Sequence, residues 1–393
     1  MEGIGRRGLL IGGALSAAAL IGGRPASAAV RWSIPEHRAA ARLQADAAGA
    51  ARQLAALSIT PGEAQAMLAK LRARTGLALA QRGSALVTGG SDVVVPLGYV
   101  VKGEDYPYAT DGPGSAAAVT TAPVRVALVD TGLAGLPRSD GWLTGSAGDA
   151  DPLDVVAPLG RLDFGSGHGT FTAGIVQRVA PRADIRVYRF NGPDGLGTDQ
   201  SVADTLVRAA ADGVQAGLPT IINASLGTPA VDGVPPPAMA AAIARIRTDY
   251  PDVLIVAAAG NLGSDEPVYP AAFDGVVAVG ALTDGMAAAP FSSFGPWLTC
   301  STVGVGIVST FVPGVSPPEP SATEPDQVFG ANAWAMWTGT SFSTPQIAGA
   351  VARYCYENPG TKPQAALDVL LAGQSTLAGY GRTLRLLPGT PTS

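Results

Sequence analysis

The sequence predicts an α/β fold of three layers, α/β/α, in which helices cover both faces of a mostly parallel central sheet. Short apolar runs are the first observation, and they predict strands at 124–129, 185–188, 221–224, 253–258 and 276–279. Segments of helical composition are the second, and they predict helices at 170–178, 199–215, 237–248 and 344–357. Strands and helices therefore alternate along the chain, which is the order typical of parallel sheets.

The composition limits the classes of function. A chain of 393 residues can form one large domain or two ordinary ones. Its net charge is -5, only 15% of its residues are charged, and it has no run of lysine and arginine, which argues against nucleic-acid binding through a basic patch. The two cysteines, Cys300 and Cys355, form no C-x-x-C motif, which argues against a structural zinc site. A single Cys300–Cys355 disulfide is chemically admissible in an exported protein.

The N-terminus predicts export. A pair of arginines, Arg6-Arg7, precedes an apolar run over 8–21, and the small residues Ala26-Ser27-Ala28 follow it. This layout resembles a twin-arginine export signal and predicts a signal peptide at 1–28. The alternative is a membrane anchor, but the apolar run is too short and too rich in glycine to cross a bilayer comfortably. We therefore expect no stable membrane span after signal removal, and a protein that is secreted or associated with the cell envelope.

A small N-terminal region, 29–121, separates the signal from the main domain at 122–393. Its alanine-rich part, 35–76, has the composition of helices, and Thr60-Pro61-Gly62-Glu63 is typical of a capped helix start. The segment 111–118 predicts a linker. The sequence thus predicts a mainly helical region that is either a pro-region or an extension wrapped on the main domain.

Two residues at the ends of predicted elements are candidates for an acid and a base. The first predicted strand ends in Asp130-Thr131-Gly132, although an aspartate in this position usually caps a loop or a helix. His168 lies between Gly167 and Gly169 at the start of a predicted helix. The chain contains only two histidines, and the other, His37, lies in the N-terminal region. If the protein uses a histidine base, that base is His168.

An amide and a hydroxyl occupy similar positions. The predicted strand at 253–258 leads into Gly260-Asn261, where a turn asparagine is the ordinary interpretation. Ser341 follows Gly339-Thr340 between a loop and an apolar helix, whose unpaired N–H groups and positive dipole end favour a nucleophile. By itself this serine is more simply interpreted as a helix cap. Together with the acid and base candidates, this serine forms the only catalytic set that the sequence suggests. The sequence contains no cysteine nucleophile motif, phosphate-binding loop or metal-ligand cluster.

The order Asp, His, Ser within the phrases Asp-Thr-Gly, Gly-His-Gly-Thr and Gly-Thr-Ser-x-x-x-Pro resembles the subtilisin-like serine proteases, the subtilase family. The resemblance covers the main domain from 123 to 374. It implies a secreted serine endopeptidase that forms an acyl-enzyme intermediate and needs no cofactor. Ser341 would be the nucleophile, His168 the general base and Asp130 the acid that orients it. Asn261 would stabilise the oxyanion together with the backbone N–H of Ser341.

The same resemblance implies where a peptide or protein substrate binds. The segment Ser225-Leu226-Gly227 resembles the exposed edge with which the backbone of the substrate pairs. The segment Ala258-Ala259-Gly260 resembles the opposite wall of the pocket for the P1 side chain, the side chain on the acyl side of the scissile bond. The sequence does not specify which P1 residue is preferred.

The chain departs from the common subtilase pattern in two places. Phe342-Ser343-Thr344-Pro345-Gln346 replaces the usual Met-Ala-x-Pro-His, and we expect altered packing under the nucleophile with activity retained. The N-terminal region does not resemble the usual α/β pro-domain, so the resemblance does not extend to self-processing. The acidic run 149–154 could bind calcium, but it lacks the glycine and the closing glutamate of an EF-hand loop, and a solvated loop is the favoured interpretation.

Two alternatives to the subtilase endopeptidase follow from the same motifs. Sedolisin-type carboxyl-serine peptidases also carry a Gly-Thr-Ser phrase but use a glutamate base, and Gly167-His168-Gly169-Thr170 argues against them. A catalytically silent subtilase fold that acts as a binding module is the other alternative, and the complete set of candidate catalytic residues argues against it.

Overall fold

The computed structural model describes residues 79–82, 85–88, 93–96, 107–135, 138–153, 162, 165–191, 196–230, 233–315 and 327–389. The predicted signal peptide at 1–28 and the predicted helices within 35–76 lie outside these residues.

The described elements comprise many short strands and five helices. The strands are β1 (Leu79–Arg82), β2 (Ala85–Thr88), β3 (Val93–Pro96), β4 (Tyr108–Thr110), β5 (Arg125–Asp130), β6 (Ala147–Gly148), β7 (Asp184–Arg189), β8 (Leu196–Thr198), β9 (Thr220–Ala224), β10 (Thr228–Pro229), β11 (Leu254–Ala258), β12 (Val268–Tyr269), β13 (Val276–Leu282), β14 (Cys300–Val303), β15 (Ile307–Thr310), β16 (Gly314–Val315), β17 (Val328–Phe329), β18 (Trp334–Trp337), β19 (Thr376–Leu377) and β20 (Gly381–Thr383). The helices are α1 (His168–Val179), α2 (Asp199–Gln215), α3 (Pro237–Asp249), α4 (Thr340–Glu357) and α5 (Pro363–Leu371).

The central sheet has nine strands in the order β19-β20-β14-β13-β11-β9-β5-β7-β6. All neighbours from β20 to β6 pair in parallel, and only β19 is antiparallel to its neighbour β20. The five predicted strands all belong to this sheet, and the prediction of a mostly parallel sheet is confirmed.

Helices cover both faces of the sheet, as the near-continuous apolar strands predict. In β5, Ala127 and Val129 pack in one core cluster with residues of α2 and α3. The alternate residues Val126 and Leu128 pack in a second cluster with residues of α1, α4 and α5. Successive side chains of a strand point to opposite faces, so this division confirms the three-layer α/β/α arrangement.

Two helices begin earlier than the sequence predicts, and both differences concern candidate catalytic residues. Helix α1 begins at His168, before the predicted start at 170, and its N-cap is Gly167. Helix α4 begins at Thr340, before the predicted start at 344, and it continues through Pro345. Proline within the helix made the later start the natural prediction, because proline lacks an N–H and usually marks a first turn.

The described part of the N-terminal region consists of strands and loops. β1, β2 and β3 form an antiparallel sheet with β8 of the main domain, and β4 pairs with β18. The predicted linker at 111–118 lies against the main domain, where the indole N–H of Trp142 donates to the carbonyl of Gly114 at 2.8 Å. None of the helices in the described part of the chain combines the length and the apolar character that crossing a bilayer requires.

Candidate active site

Asp130 and His168 lie in contact where the last residue of β5 meets the first residue of α1. Oδ1 of Asp130 is 2.7 Å from Nδ1 of His168. Oδ1 also accepts the backbone N–H of Thr131 at 2.8 Å, and Oδ2 accepts the hydroxyl of Thr172 at 3.0 Å. Because an ionised carboxylate can only accept, this contact assigns a proton to Nδ1 and leaves Nε2 free to accept one.

Glycines allow these two elements to approach so closely. A β carbon on Gly169 would lie 2.1 Å from the carbonyl oxygen of Gly132, so the start of α1 rests directly on the turn that follows β5. Gly132 has a φ of 106°, a conformation that glycine adopts without strain. The glycine beside His168 and the glycine of Asp-Thr-Gly thus form one tight contact between the acid and base candidates.

Ser341 is the second residue of α4 and is only 2% exposed. Pro345 has no N–H to donate to the carbonyl of Ser341 one turn earlier, and the hydroxyl of Ser225 donates to that carbonyl at 2.8 Å instead. The hydroxyl of Ser341 in turn donates to the carbonyl of Ser225 at 3.2 Å. These two hydrogen bonds tie the serine to Ser225, the residue that follows the end of β9.

Asn261 reaches the same helix terminus from the end of β11. Its Oδ1 accepts both the backbone N–H of Thr340 at 2.9 Å and the hydroxyl of Thr340 at 2.8 Å. These two bonds fix the orientation of the amide, because they require the oxygen to face Thr340. Its Nδ2 is buried and has no hydrogen-bond partner. A buried donor without a partner costs about 1–3 kcal/mol, so this N–H group is available for an incoming acceptor.

The two predicted substrate segments lie side by side. β9 and β11 are parallel neighbours, with Ala224 opposite Ala257, so Ser225–Gly227 and Ala258–Gly260 leave the sheet together. Ser225 and Leu226 are buried, and Leu226 belongs to the core cluster on the α2 and α3 side. These two side chains anchor the segment in the core, whereas Gly227 is half-buried, and the pairing of its backbone with a substrate stays a prediction.

Aromatic side chains surround the imidazole of His168. Its ring centroid lies 5.5 Å from that of Trp337 and 5.3 Å from that of Phe342. Phe342 and Trp337 are also in contact with each other and with Phe171. Phe342, which departs from the common subtilase pattern, thus belongs to an aromatic cluster that supports one side of the imidazole.

Asp151 is a residue of this site that sequence analysis missed. Its Oδ2 accepts the backbone N–H of Gly167 at 2.8 Å and the hydroxyl of Thr131 at 3.0 Å, so it joins the turns on either side of the Asp130–His168 contact. Burial raises the pKa of Asp151 from 3.8 to about 7, despite the two hydrogen bonds, and the charge of Asp130 adds to the rise. Only the buried position of this carboxylate, which the sequence does not encode locally, reveals it.

The prediction of a solvated loop at 149–154 is wrong for Asp151, which is buried, whereas the side chain of Asp149 is 38% exposed. Asp151 is buried under the site, and Asp149 forms an ion pair with Arg208 and accepts the backbone N–H of Arg189 at 2.8 Å. Asp154 lies outside the described residues. Oδ2 of Asp151 and Oδ2 of Asp149 accept from protein donors, and the described residues contain no group of three or more His, Cys, Asp or Glu that could hold a metal ion.

The disulfide that the sequence admits is not formed. Cys300 at the start of β14 and Cys355 in the last turn of α4 are both free and buried. They pack in the cluster between the sheet and α4, where they act as small apolar side chains. Burial raises the pKa of Cys300 to about 12 and that of Cys355 to about 11, which keeps both thiols protonated.

The sequence profile of the subtilase family matches residues 122–382. The chain belongs to the subtilase family. It is 31% identical over 250 residues to subtilisin BL of Lederbergia lenta, in an alignment that covers 61% of this chain and 79% of that protein. It is 32% identical over 245 residues to alkaline elastase YaB of Bacillus sp. (strain YaB), covering 60% of this chain and 55% of that protein. This subtilase is a serine-type endopeptidase and hence a hydrolase.

Solved structures show the same fold. The fold of a lanthipeptide protease matches with a TM-score of 0.51 at 22% identity, over 67% of this chain and 85% of that one. The S41 psychrophilic protease matches with the same TM-score of 0.51, over 68% of this chain and 90% of that one. These similarities support the α/β/α architecture of the main domain.

Proposed function

We propose that this subtilase is an exported endopeptidase that cleaves peptide bonds with Ser341 as nucleophile, His168 as general base and Asp130 as the acid that orients it. The observation that carries the proposal is the 2.7 Å contact between Asp130 and Nδ1 of His168, which leaves Nε2 free to accept a proton. A serine hydroxyl is a poor nucleophile at neutral pH without such a base.

The proposed reaction passes a proton from Ser341 through His168 to the leaving amine. The hydroxyl of Ser341 leaves the carbonyl of Ser225, gives its proton to Nε2 of His168 and attacks the scissile carbonyl carbon. Asp130 stabilises the imidazolium that forms. The imidazolium then protonates the leaving amine. Water next attacks the acyl-enzyme and gives a proton to His168, and the bond to the Ser341 oxygen breaks as His168 returns that proton to the serine.

Asn261 serves as the oxyanion donor in this scheme. The carbonyl oxygen of the substrate becomes negative in the tetrahedral intermediate, and Nδ2 of Asn261 is a buried donor that lacks a partner. Thr340 holds the amide through two bonds to Oδ1, so the donor needs little reorganisation when charge develops. The backbone N–H of Ser341 is the second donor. The reaction requires no cofactor.

Peptide or protein substrates bind along the two segments Ser225–Gly227 and Ala258–Gly260 in this proposal. Support comes from the position of both segments at the end of the sheet that also carries Asp130 and leads into Asn261. The buried side chains of Ser225 and Leu226 leave the backbone to pair with an extended peptide, which gives affinity without sequence preference.

Fluorophosphonate labelling tests the proposed nucleophile. We expect Ser341 to be labelled, and the label to disappear in His168→Ala, because the base no longer removes the proton. Ser375→Ala is the matched control, since Ser375 is an exposed serine far along the chain, and it should label normally. A folded wild-type protein without label would favour the silent binding module.

We also propose that residues 1–28 direct export and that part of 29–121 is a pro-region. Support for the pro-region comes from two backbone pairings, of β3 with β8 and of β4 with β18. β18 leads within a few residues to Ser341, so the chain between β3 and β4 connects a strand paired with β8 to a strand paired close to the candidate nucleophile. Cleavage in this connection would leave β4 with the mature domain.

N-terminal sequencing of secreted protein tests both proposals at once. We expect the mature chain to begin after Pro96 and before Tyr108. A mature chain that begins at Ala29 would rule out the pro-region and support the signal peptide, whereas retention of Met1 would rule out both.

A further inference from the structure

We infer that Val268 closes the P1 pocket and restricts this protease to substrates with glycine, alanine or serine at P1. The inference rests on the proposed function, because it names the substrate class of the same site. The parts of the structure that form the pocket are the two substrate segments, the strand β12 and the glycines that face this strand.

The position of the P1 side chain follows from the candidate catalytic groups. The scissile carbon must lie between the hydroxyl of Ser341, which contacts Ser225, and the amide of Asn261, which follows Gly260. Ser225–Gly227 and Ala258–Gly260 extend from neighbouring parallel strands, so they form the two sides of the space beside that carbon. The side chain of the residue that carries the scissile carbonyl therefore projects between these segments.

Val268 occupies the space between the two segments. It lies on β12, which pairs antiparallel with β10, the strand that continues from Gly227. A β carbon on Gly227 would lie 2.5 Å from Cγ1 of Val268, and one on Gly260 would lie 2.9 Å from its Cγ2. Cγ1 thus faces the glycines of both walls, Cγ2 faces Gly260, and Val268 is only 2% exposed.

The size and charge of the accepted side chain follow from this packing. Glycine on each wall leaves width for a substrate, but the isopropyl group of Val268 takes the depth that a long side chain would need. The neighbouring polar group is the hydroxyl of Ser293, whose Oγ would lie 3.3 Å from a β carbon on Gly260. The walls formed by Gly227, Gly260 and Val268 carry no charge, so a small, uncharged P1 residue fits best.

Peptide anilides that differ only at P1 provide the first measurement on the mature enzyme. The series has Gly, Ala, Leu and Phe at P1. We expect kcat/KM for the Ala substrate to exceed that for the Phe substrate by at least about 10–200-fold, because one methylene group that does not fit a pocket already has an effect of this size. Sequencing the peptides released from a denatured protein substrate should show cleavage after Gly, Ala and Ser.

Substitution of Val268 provides the second measurement. Val268→Gly removes the isopropyl group, and we expect kcat/KM for the Leu and Phe substrates to rise by about 10–200-fold while the Ala substrate changes little. Val268→Ala should give a smaller rise, largest for Leu, and it decides the question if the glycine variant does not fold. Val234→Gly is the matched control, since Val234 is 60% exposed, and it should keep the wild-type preference.

The outcomes separate this inference from the proposed function. Wild-type enzyme that cleaves after Phe as fast as after Ala, or Val268 variants that keep the wild-type ratio, would overturn the role of Val268. If Ser341 is labelled by a fluorophosphonate in that experiment, the proposed function survives. A folded protein that is neither labelled nor active on any of these substrates would overturn both.

Discussion

The buried carboxylate of Asp151 should make the protein less stable at pH 7 and above than near pH 4, and Asp151→Asn should remove this effect. Both of its hydrogen bonds, from Gly167 and Thr131, end on the single oxygen Oδ2. The carbonyl oxygen of asparagine can accept the same two bonds, so the substitution preserves the contacts and removes only the ionisation.

The direction of the effect follows from the pKa of Asp151, which burial raises from 3.8 to about 7. Below about pH 4 the group is protonated in the folded and unfolded chains and contributes nothing. Between about pH 4 and pH 7 the unfolded chain loses the proton while the folded chain keeps it, so stability falls as pH rises. Above pH 7 the folded protein carries the buried charge, and the loss is on the order of 4 kcal/mol.

The assay compares thermal unfolding of two proteins, Ser341→Ala and Ser341→Ala with Asp151→Asn, because the first substitution prevents self-digestion. We expect the difference in stability between them to grow in favour of the asparagine variant from pH 4 to pH 7 and then to level off. If the amide oxygen of asparagine accepts the two hydrogen bonds less strongly than the carboxyl group does, the difference in stability shifts by an amount that does not depend on pH. Asp265→Asn, at an exposed carboxylate, is the control and should show no such trend.

A difference that stays constant from pH 4 to pH 8.5 would refute the reasoning. It would mean that Asp151 ionises in the folded protein as readily as in the unfolded chain. A difference that grows in favour of the aspartate at high pH would refute it more strongly, since it would mean that the negative charge stabilises the turns on either side of the Asp130–His168 contact.

Three further predictions concern the geometry of the site. Asn261→Ala should lower kcat by about 10²–10³-fold with little change in KM, as measured by steady-state kinetics. The size of this effect is the one known for the oxyanion donor of subtilisin. Thr172→Val should remove the hydrogen bond to Oδ2 of Asp130 and lower the free energy of unfolding by about 1.5–3 kcal/mol, measured by chemical denaturation. Its effect on activity should be a decrease in kcat that is larger than the change in KM. Gly169→Ala should destabilise the protein by about 1–3 kcal/mol and reduce activity, because its β carbon would lie 2.1 Å from the carbonyl oxygen of Gly132.

Each of these predictions has a result that contradicts it. An Asn261→Ala enzyme with unchanged kcat would exclude the amide as oxyanion donor. Full activity in Thr172→Val would mean that His168 and the remaining bond to Thr131 suffice to hold Asp130. For the glycine variant the control is Gly135→Ala, where a β carbon would meet nothing within 4 Å, and equal effects of the two substitutions would contradict the close contact with Gly132.

The fold was largely predictable because its signals are local. A strand covered on both faces is apolar over most of its length, and β11 and β13 show this as continuous runs. In β5 the polar residues stand at the two ends, and in β9 Asn223 interrupts the run. The strands that sequence analysis missed, such as β15 and β18, are short and rich in Ser, Trp or Met, and pairing with distant partners makes them strands. The same holds for β3 and β8, which pair across about 100 positions of the chain.

The candidate catalytic residues were predictable for a related reason. Each of the four candidate residues lies in a short motif with characteristic glycine or threonine neighbours: Asp130, His168, Asn261 and Ser341. The order of these motifs along the chain identifies the family. The sequence by itself thus determined the fold class and the family, and it predicted the four polar groups, because these features depend on neighbours along the chain. Only the tertiary structure decided that Asp151 is buried beneath the site, that the cysteines stay apart and that Val268 lies between Gly227 and Gly260. Burial and pocket depth depend on which distant segments pack together, and no local pattern encodes that.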